Sequence, residues 1–242
     1  MPPEPILKNL QIFTISLCEY HIPFTDGLKM SKRFTFTSLP RLNALSITFL
    51  VLVLGASLYR GVHKNTSAGE CADAKAVAAR MAPLAKGEVA AVSVNMSPIP
   101  LPKLEFTGPN GEKLTLDHFR GKTILLNLWA TWCVPCRTEM PSLDQLQAES
   151  GNGQFEVVAI NIDQRNLDRP KAFLNEIHIS HLAYYADPSA DTFQSLKTIG
   201  KAFGMPTSLI ISPQGCELAT LAGPADWAST DAQAFIKAAV AP

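Results

Sequence analysis

The stretch at residues 127–141, NLWATWCVPCRTEMP, limits what this chain can fold into more than any other. A mostly apolar run at 124–130 leads into it, and a helix-like mixture of polar and apolar residues leads out. Between them stand Cys133 and Cys136, preceded by Trp132 and separated by Val134 and Pro135. A near-continuous apolar run suits a strand covered on both faces. Proline is tolerated in the first turn of a helix, where its missing N–H costs nothing. The stretch therefore reads as a buried strand delivering two thiols to a helix N-terminus.

That placement has chemical meaning. Thiol–disulfide exchange needs an attacking thiolate, a second thiol close enough to resolve the mixed disulfide, and access for a partner. At a helix start, Cys133 meets unsatisfied N–H groups and the positive end of the helix dipole, both of which favour the thiolate. Cys136 lies three residues on, one turn deeper on the same face, so the sulfurs can bond and Cys136 is the less exposed. The plainer alternatives are half a zinc site and an inert disulfide. A closed zinc site wants four ligands, and no second Cys-x-x-Cys or paired histidine accompanies this one. A c-type haem would need histidine directly after Cys136, where Arg137 stands. The five histidines are scattered without ligand spacing. No metal centre or cofactor is expected, while copper held by the two thiolates stays open as a rival of a different class.

The balance of 21 basic and 21 acidic side chains gives no field for nucleic acid. One segment could span a bilayer: residues 42–59, LNALSITFLVLVLGASLY, carry no charge. As a helix it would reach about 27 Å, close to the hydrocarbon thickness. Lys32, Arg33 and Arg41 precede it and Arg60 and Lys64 follow, so positive-inside reasoning puts residues 1–41 in the cytoplasm and the bulk outside. The alternative is a cleaved signal peptide, with small residues at Gly55-Ala56-Ser57. An uncleaved anchor is expected, because the run is long for a signal core. Residues 1–29 are mixed in polarity, and Met30 opens the basic run MSKRFTFTSLPR. Translation is expected to begin there, which would make Cys18 irrelevant.

Residues 60–102 read as a spacer, an extra helix and a proline-rich connector. Cys71, Ala74, Val77, Ala78 and Met81 recur at helical spacing within 70–91, and Pro83 should end or kink that helix. Residues 103–242 form the compact domain. Leu104 and Phe106, a turn at 108–111, then Leu114 and Leu116 predict a β-hairpin. After it come the strand at 124–130, a helix at 133–150 bent near Pro141, and a strand at 155–162. A helix at 168–178, a short strand at 181–185 and a helix at 190–203 follow. A hairpin of 208–211 with 217–221 and a last helix at 231–241 close the chain. This is an α/β pattern: a central mixed sheet flanked by helices.

The pattern around the cysteines resembles the thioredoxin superfamily, and within it the membrane-anchored TlpA-like thiol:disulfide interchange proteins. The residues that carry the resemblance are Gly121-Lys122, Asn127 to Cys133, Cys136 with Glu139 and Pro141, and Gly204 to Thr207. It covers about residues 100–242. It implies a thioredoxin-like fold with Pro206 in the cis form facing the dithiol, and a backbone around Met205 that pairs with an extended segment of a partner. It further implies a periplasmic domain on the bacterial inner membrane that works in the reducing direction. Electrons would come from an inner-membrane thiol transporter. The implied targets are apocytochrome c cysteines, or copper-site cysteines in cytochrome oxidase assembly. Trp132 is expected to shield the disulfide and line the docking surface, and Trp129 to pack.

One position departs from ordinary thioredoxin, which carries a buried acid in the strand before the dithiol. Here that residue is Asn127, which cannot accept a proton. Glu139, three residues after Cys136, should neighbour it and is expected to assist its deprotonation; the alternative is a solvated helix glutamate. Two cysteines remain. A Cys71–Cys216 bond would tie the extra helix to the edge of the domain, worth roughly 5 kcal/mol by chain entropy alone. The alternative is two separate buried thiols. A thiol peroxidase is disfavoured, because the Pro…Thr…Cys approach to a peroxidatic cysteine is missing.

Overall fold

Two strands buried almost end to end, β4 (Thr123–Trp129) and β5 (Phe155–Asn161), run parallel at the centre of the chain. Their Ile, Leu, Val and Phe side chains favour a pleated surface packed on both sides. The structure is a computed structural model that describes residues 71–241. The segment at 42–59, the small residues at 55–57, Met30 and Cys18 lie outside the described residues. Among the described residues no helix is long and apolar enough to cross a membrane.

Around these strands one eight-stranded mixed sheet is built. Its other members are β1 (Ser93–Val94), β2 (Glu105–Thr107), β3 (Lys113–Thr115), β6 (Tyr185–Ala186), β7 (Thr207–Ile211) and β8 (Glu217–Ala222). The order is β1-β8-β7-β4-β5-β6-β2-β3. The β2–β3 hairpin joins antiparallel to β6 at one edge. At the other, β4 pairs antiparallel with β7, and β7 with β8. Among the described residues five α-helices flank the sheet: α1 (Ala72–Met81), α2 (Val134–Ser150), α3 (Arg169–Glu176), α4 (Asp191–Thr198) and α5 (Thr230–Val240). The mixed sheet, the hairpin and the extra N-terminal helix are those expected from the sequence.

Several elements are shorter than expected, each for a local reason. The extra helix stops at Met81, and Pro83 lies in a 3-10 turn that follows. The helix expected over 190–203 ends at Thr198. There the N–H of Lys201 donates to the carbonyl of Leu196 and that of Gly200 to Lys197, with Gly200 at φ +72°. This is a glycine-stopped C-terminus, in which the left-handed residue turns the chain away. The strand expected over 181–185 begins only at Tyr185. The N–H groups of His181 and Leu182 are taken instead by the Asp144 carboxylate on α2, at 2.7 and 2.9 Å. The reading also missed β1, which adds antiparallel to β8 from within the proline-rich connector.

The N-terminal helix is held at both ends. Cys71, at its N-terminus, is bonded to Cys216, with Cα atoms 5.9 Å apart. Arg80, in its last turn, donates through Nε to the carbonyl of Ala238 at 3.0 Å. Cys216 directly precedes β8, and Glu217 pairs with Ile211, so the disulfide sits at the far end of β7 and β8 from Thr207. The cross-link closes a loop of 145 positions, which constrains the unfolded chain strongly. The Cys71→Ala/Cys216→Ala double variant should lose about 2–5 kcal/mol in urea denaturation. Its Cys133–Cys136 pair should oxidise and reduce as before.

Candidate active site

The loop between β4 and α2 is fixed before the cysteines arrive. Asp163, just past β5, accepts from the Thr131 backbone N–H at 2.9 Å and its hydroxyl at 3.1 Å. Asp163 is itself aimed by the Asn161 amide at 2.8 Å. The N–H of Cys133 then donates to the carbonyl of Ala130 at 3.1 Å. Cys133 becomes the N-cap of α2 with extended backbone angles, and Pro135 occupies the first turn. Its Sγ accepts from the backbone N–H of Cys136 at 3.3 Å, the bond a side-chain cap makes to an orphan N–H. The two sulfurs are bonded to each other. Cys133 keeps 5% of its surface exposed and Cys136 none, so an incoming group meets Cys133 first.

The register of the sheet brings a second element to the same place. Thr207 pairs with Leu128, so Met205 and Pro206 extend beyond β7 beside the end of β4. The Met205–Pro206 peptide is cis. The apolar side chains on either side of Cys133 in the chain are exposed: Trp132 at 65% and Val134 at 68%. A cleft of about 540 Å3 begins at Trp132 and Met205 and continues past Thr131, Arg165 and Phe193. Trp129, by contrast, is buried and packs on Phe173 with ring centres 6.0 Å apart.

Behind the disulfide, α2 turns Glu139 inward. The side chain is only 3% exposed. Asn127 Nδ2 donates to its Oε1 at 2.8 Å and to Ser208 Oγ at 3.0 Å. The backbone N–H of Ala225 donates to Oε2 at 3.2 Å. The buried indole N–H of Trp227 lies near the same carboxyl without reaching hydrogen-bond geometry. Burial pushes the Glu139 carboxyl up to about 7, against the opposing pull of the Asn127 and Ala225 bonds. One side of Glu139 borders an open cleft of about 630 Å3 between α2 and the 224–228 loop, whose rim includes Ser142, Asp226 and Glu88. The cleft lined by Trp132 and Met205 shares no residue with it.

Cys133, Cys136, Trp132, Pro135, Met205 and Pro206 thus gather at one end of the sheet, with Glu139 directly behind. Cys71 and Cys216 lie at the other end, apart from this group. Sequence reading missed three contributors: Asp163, Ser208 and the Ala225 backbone. An acid placed just past an apolar strand was the available signal for Asp163. Ser208, two residues after Pro206, had one too; the Ala225 N–H had none. Among the described residues no group of three or more His, Cys, Asp or Glu side chains could hold a metal ion.

The Redoxin family profile matches residues 96–235. The thiol-disulfide oxidoreductase ResA of Oceanobacillus iheyensis is 34% identical over 100 residues, which is 41% of this chain and 49% of that protein. The thioredoxin-like protein YneN of Bacillus subtilis is 52% identical over 52 residues, 22% of this chain and 30% of its own length. The chain therefore spans half or less of these two curated relatives. A solved DsbE-type thiol:disulfide interchange protein from Chlorobium tepidum superposes with a TM-score of 0.50 at 30% identity, covering 59% of this chain and 96% of that one. The fold is thioredoxin-like.

The Glu139 carboxyl gives a stability signature with a definite sign. Its folded value of about 7 lies above the ordinary 4.5, so between these the folded state binds the extra proton. Stability should fall as pH rises from about 4.5 to 7 and then level off. In Glu139→Gln that slope should vanish from urea denaturation of the oxidised protein.

Proposed function

The chain belongs to the Redoxin family, and on that premise we propose that it is a thiol–disulfide oxidoreductase acting through Cys133 and Cys136. The observation that carries this is the unequal burial of two bonded sulfurs at a helix N-terminus, with Cys133 at the rim and Cys136 enclosed. In the reduced protein the Cys133 thiolate attacks a partner disulfide. A mixed disulfide forms and one partner sulfur leaves as thiolate. Cys136 gives its proton to Glu139 and attacks Cys133 Sγ, which expels the second partner thiolate and closes the disulfide. Two electrons pass to the partner. Glu139 then loses its proton through the cleft beside the 224–228 loop, which a partner seated on Trp132 and Met205 leaves open. The docked segment runs along the Met205 backbone as an added strand, with Trp132 and Pro206 flanking it.

The partner class follows from the TlpA-like resemblance of residues 121–141 and 204–207. The protein reduces protein disulfides in apocytochrome c or in cytochrome oxidase copper-site assembly, and an inner-membrane thiol transporter recharges it. Residues 42–59 anchor it in the bacterial inner membrane with residues 103–242 in the periplasm, and residues 1–41 stay in the cytoplasm. The Cys71–Cys216 bond is structural. A reductant of this kind needs a potential of about −200 mV or lower, whereas an oxidant sits near about −120 mV. The rival reading is a copper metallochaperone that holds the ion through the Cys133 and Cys136 thiolates; no methionine or histidine cluster in the sequence supports it.

Cys136→Ser should trap a stable mixed disulfide through Cys133, and mass spectrometry of the adduct names the partner. Recovery of partners joined through any other cysteine would sink the assignment. Glu139→Gln should slow the resolving step by about a hundredfold at neutral pH, while the first attack by Cys133 changes little. Stopped-flow kinetics of the two steps separates them. If the pH profile of resolution is unchanged in this variant, Glu139 is not the proton acceptor. A copper titration of the reduced domain, run beside a disulfide-reduction assay, decides against the metallochaperone if only the second gives a signal.

A further inference from the structure

Asn127 has an unanswered atom. Its carboxamide is fully buried in β4, and Nδ2 donates to both Glu139 and Ser208. Its Oδ1, equally buried, has no hydrogen-bond partner. A buried acceptor without a donor costs free energy and calls for an explanation. The arrangement suits only one protonation state of its neighbour. An ionised carboxylate accepts from Nδ2, but a protonated carboxyl has an O–H to give away and needs an acceptor. Oxygen and nitrogen of a carboxamide occupy nearly the same volume, so half a turn of the amide exchanges them without disturbing the packing. After that turn, Oδ1 stands where Nδ2 stood and accepts from Glu139 and from Ser208. The Ser208 hydroxyl can serve, because it donates as readily as it accepts.

We propose that Asn127 is a positioning residue for Glu139, with a carboxamide that turns over each time Glu139 gains or loses the proton of Cys136. Nδ2 faces the carboxylate, Oδ1 faces the carboxylic acid, and Ser208 pairs with whichever is presented. The step moves one proton, from the Cys136 thiol to Glu139 and on to water, and no electron. The inference rests on the reading of Glu139 as proton acceptor and adds what makes the second protonation state tolerable in a closed site. It also accounts for an amide at a strand position where a second carboxylate would face Glu139 at about hydrogen-bond distance and repel it. The groups around Glu139 from every side are Cys136 on its own helix, Asn127 from β4, Ser208 from β7, the Ala225 N–H with Asp226 and Trp227 from the 224–228 loop, and Glu88 across the cleft. None of them is a base that could replace the amide, since the two carboxylates, Asp226 and Glu88, line the solvent side.

The test uses the full chain in its oxidised form, in which neither Cys133 nor Cys136 titrates. Carbon-13 spectra of the Glu139 carboxyl give its midpoint, and the Asn127 side-chain amide is followed across the same pH range. Above the midpoint, Overhauser contacts between the Nδ2 protons and the Ser208 Hβ protons should be present. Below it they should disappear, and in Glu139→Gln the pH-dependent exchange should be lost. Asn127→Leu removes the donor to the ionised form and the acceptor of the acid form together, so it should raise the Glu139 midpoint by less than about one pH unit. The pH profile of mixed-disulfide resolution should move with it. If Glu139 titrates while the amide contacts stay fixed through its midpoint, the turnover is refuted and the role of Glu139 stands. If Glu139 neither titrates near neutrality nor affects resolution, both ideas fall together.

Discussion

The burial of β4 on both faces is the constraint from which the rest of this domain follows. Every one of its residues is enclosed, so its hydrogen bonds must be completed by strands on either side. The parallel partner β5 supplies Asp163 at its end, and the antiparallel partner β7 supplies Pro206 and Ser208. The active end is therefore assembled by sheet register. A slip of one residue in β7 would turn Ser208 away from Asn127 and move Pro206 out of line with the dithiol. Precision at the disulfide is inherited from apolar side chains far behind it.

The same burial explains where the ionisable group behind the disulfide sits. A strand closed on both faces is a costly place for a lone carboxylate. This chain puts an amide in the strand and a carboxylate on α2, where one side of Glu139 borders an open cleft. The carboxyl remains dry enough to be raised to about 7, yet lies close to solvent. Two separate clefts result, one at the face carrying Trp132 and Met205 and one beside the 224–228 loop.

Much of this was legible in the sequence because it is written in local patterns. The apolar run, the two cysteines with Pro135 between them, and the residues around Pro206 each announce themselves within a few positions. Asn127 and Glu139 were both singled out, one as a missing acid and the other as a substitute. Their contact was not, because it depends on how α2 is rotated against β4. The short strand β1 was hidden for a related reason: two residues among prolines carry no periodicity, and only the free edge of β8 gives them a structure. The strand expected near His181 failed through competition, since Asp144 claims the N–H groups a ladder would have used.

The Cys71–Cys216 bridge also has a mechanical meaning. Whatever precedes residue 71 is joined to the domain there, and the sulfur bridge carries the connection straight to the start of β8. A pull from upstream is thus delivered to the sheet through a covalent bond, without having to unwind α1 or peel away β1. The force enters at the end of β7 and β8 remote from Pro206. A load applied upstream of residue 71 can thus reach the sheet while the end that carries Met205 and Pro206 keeps its shape.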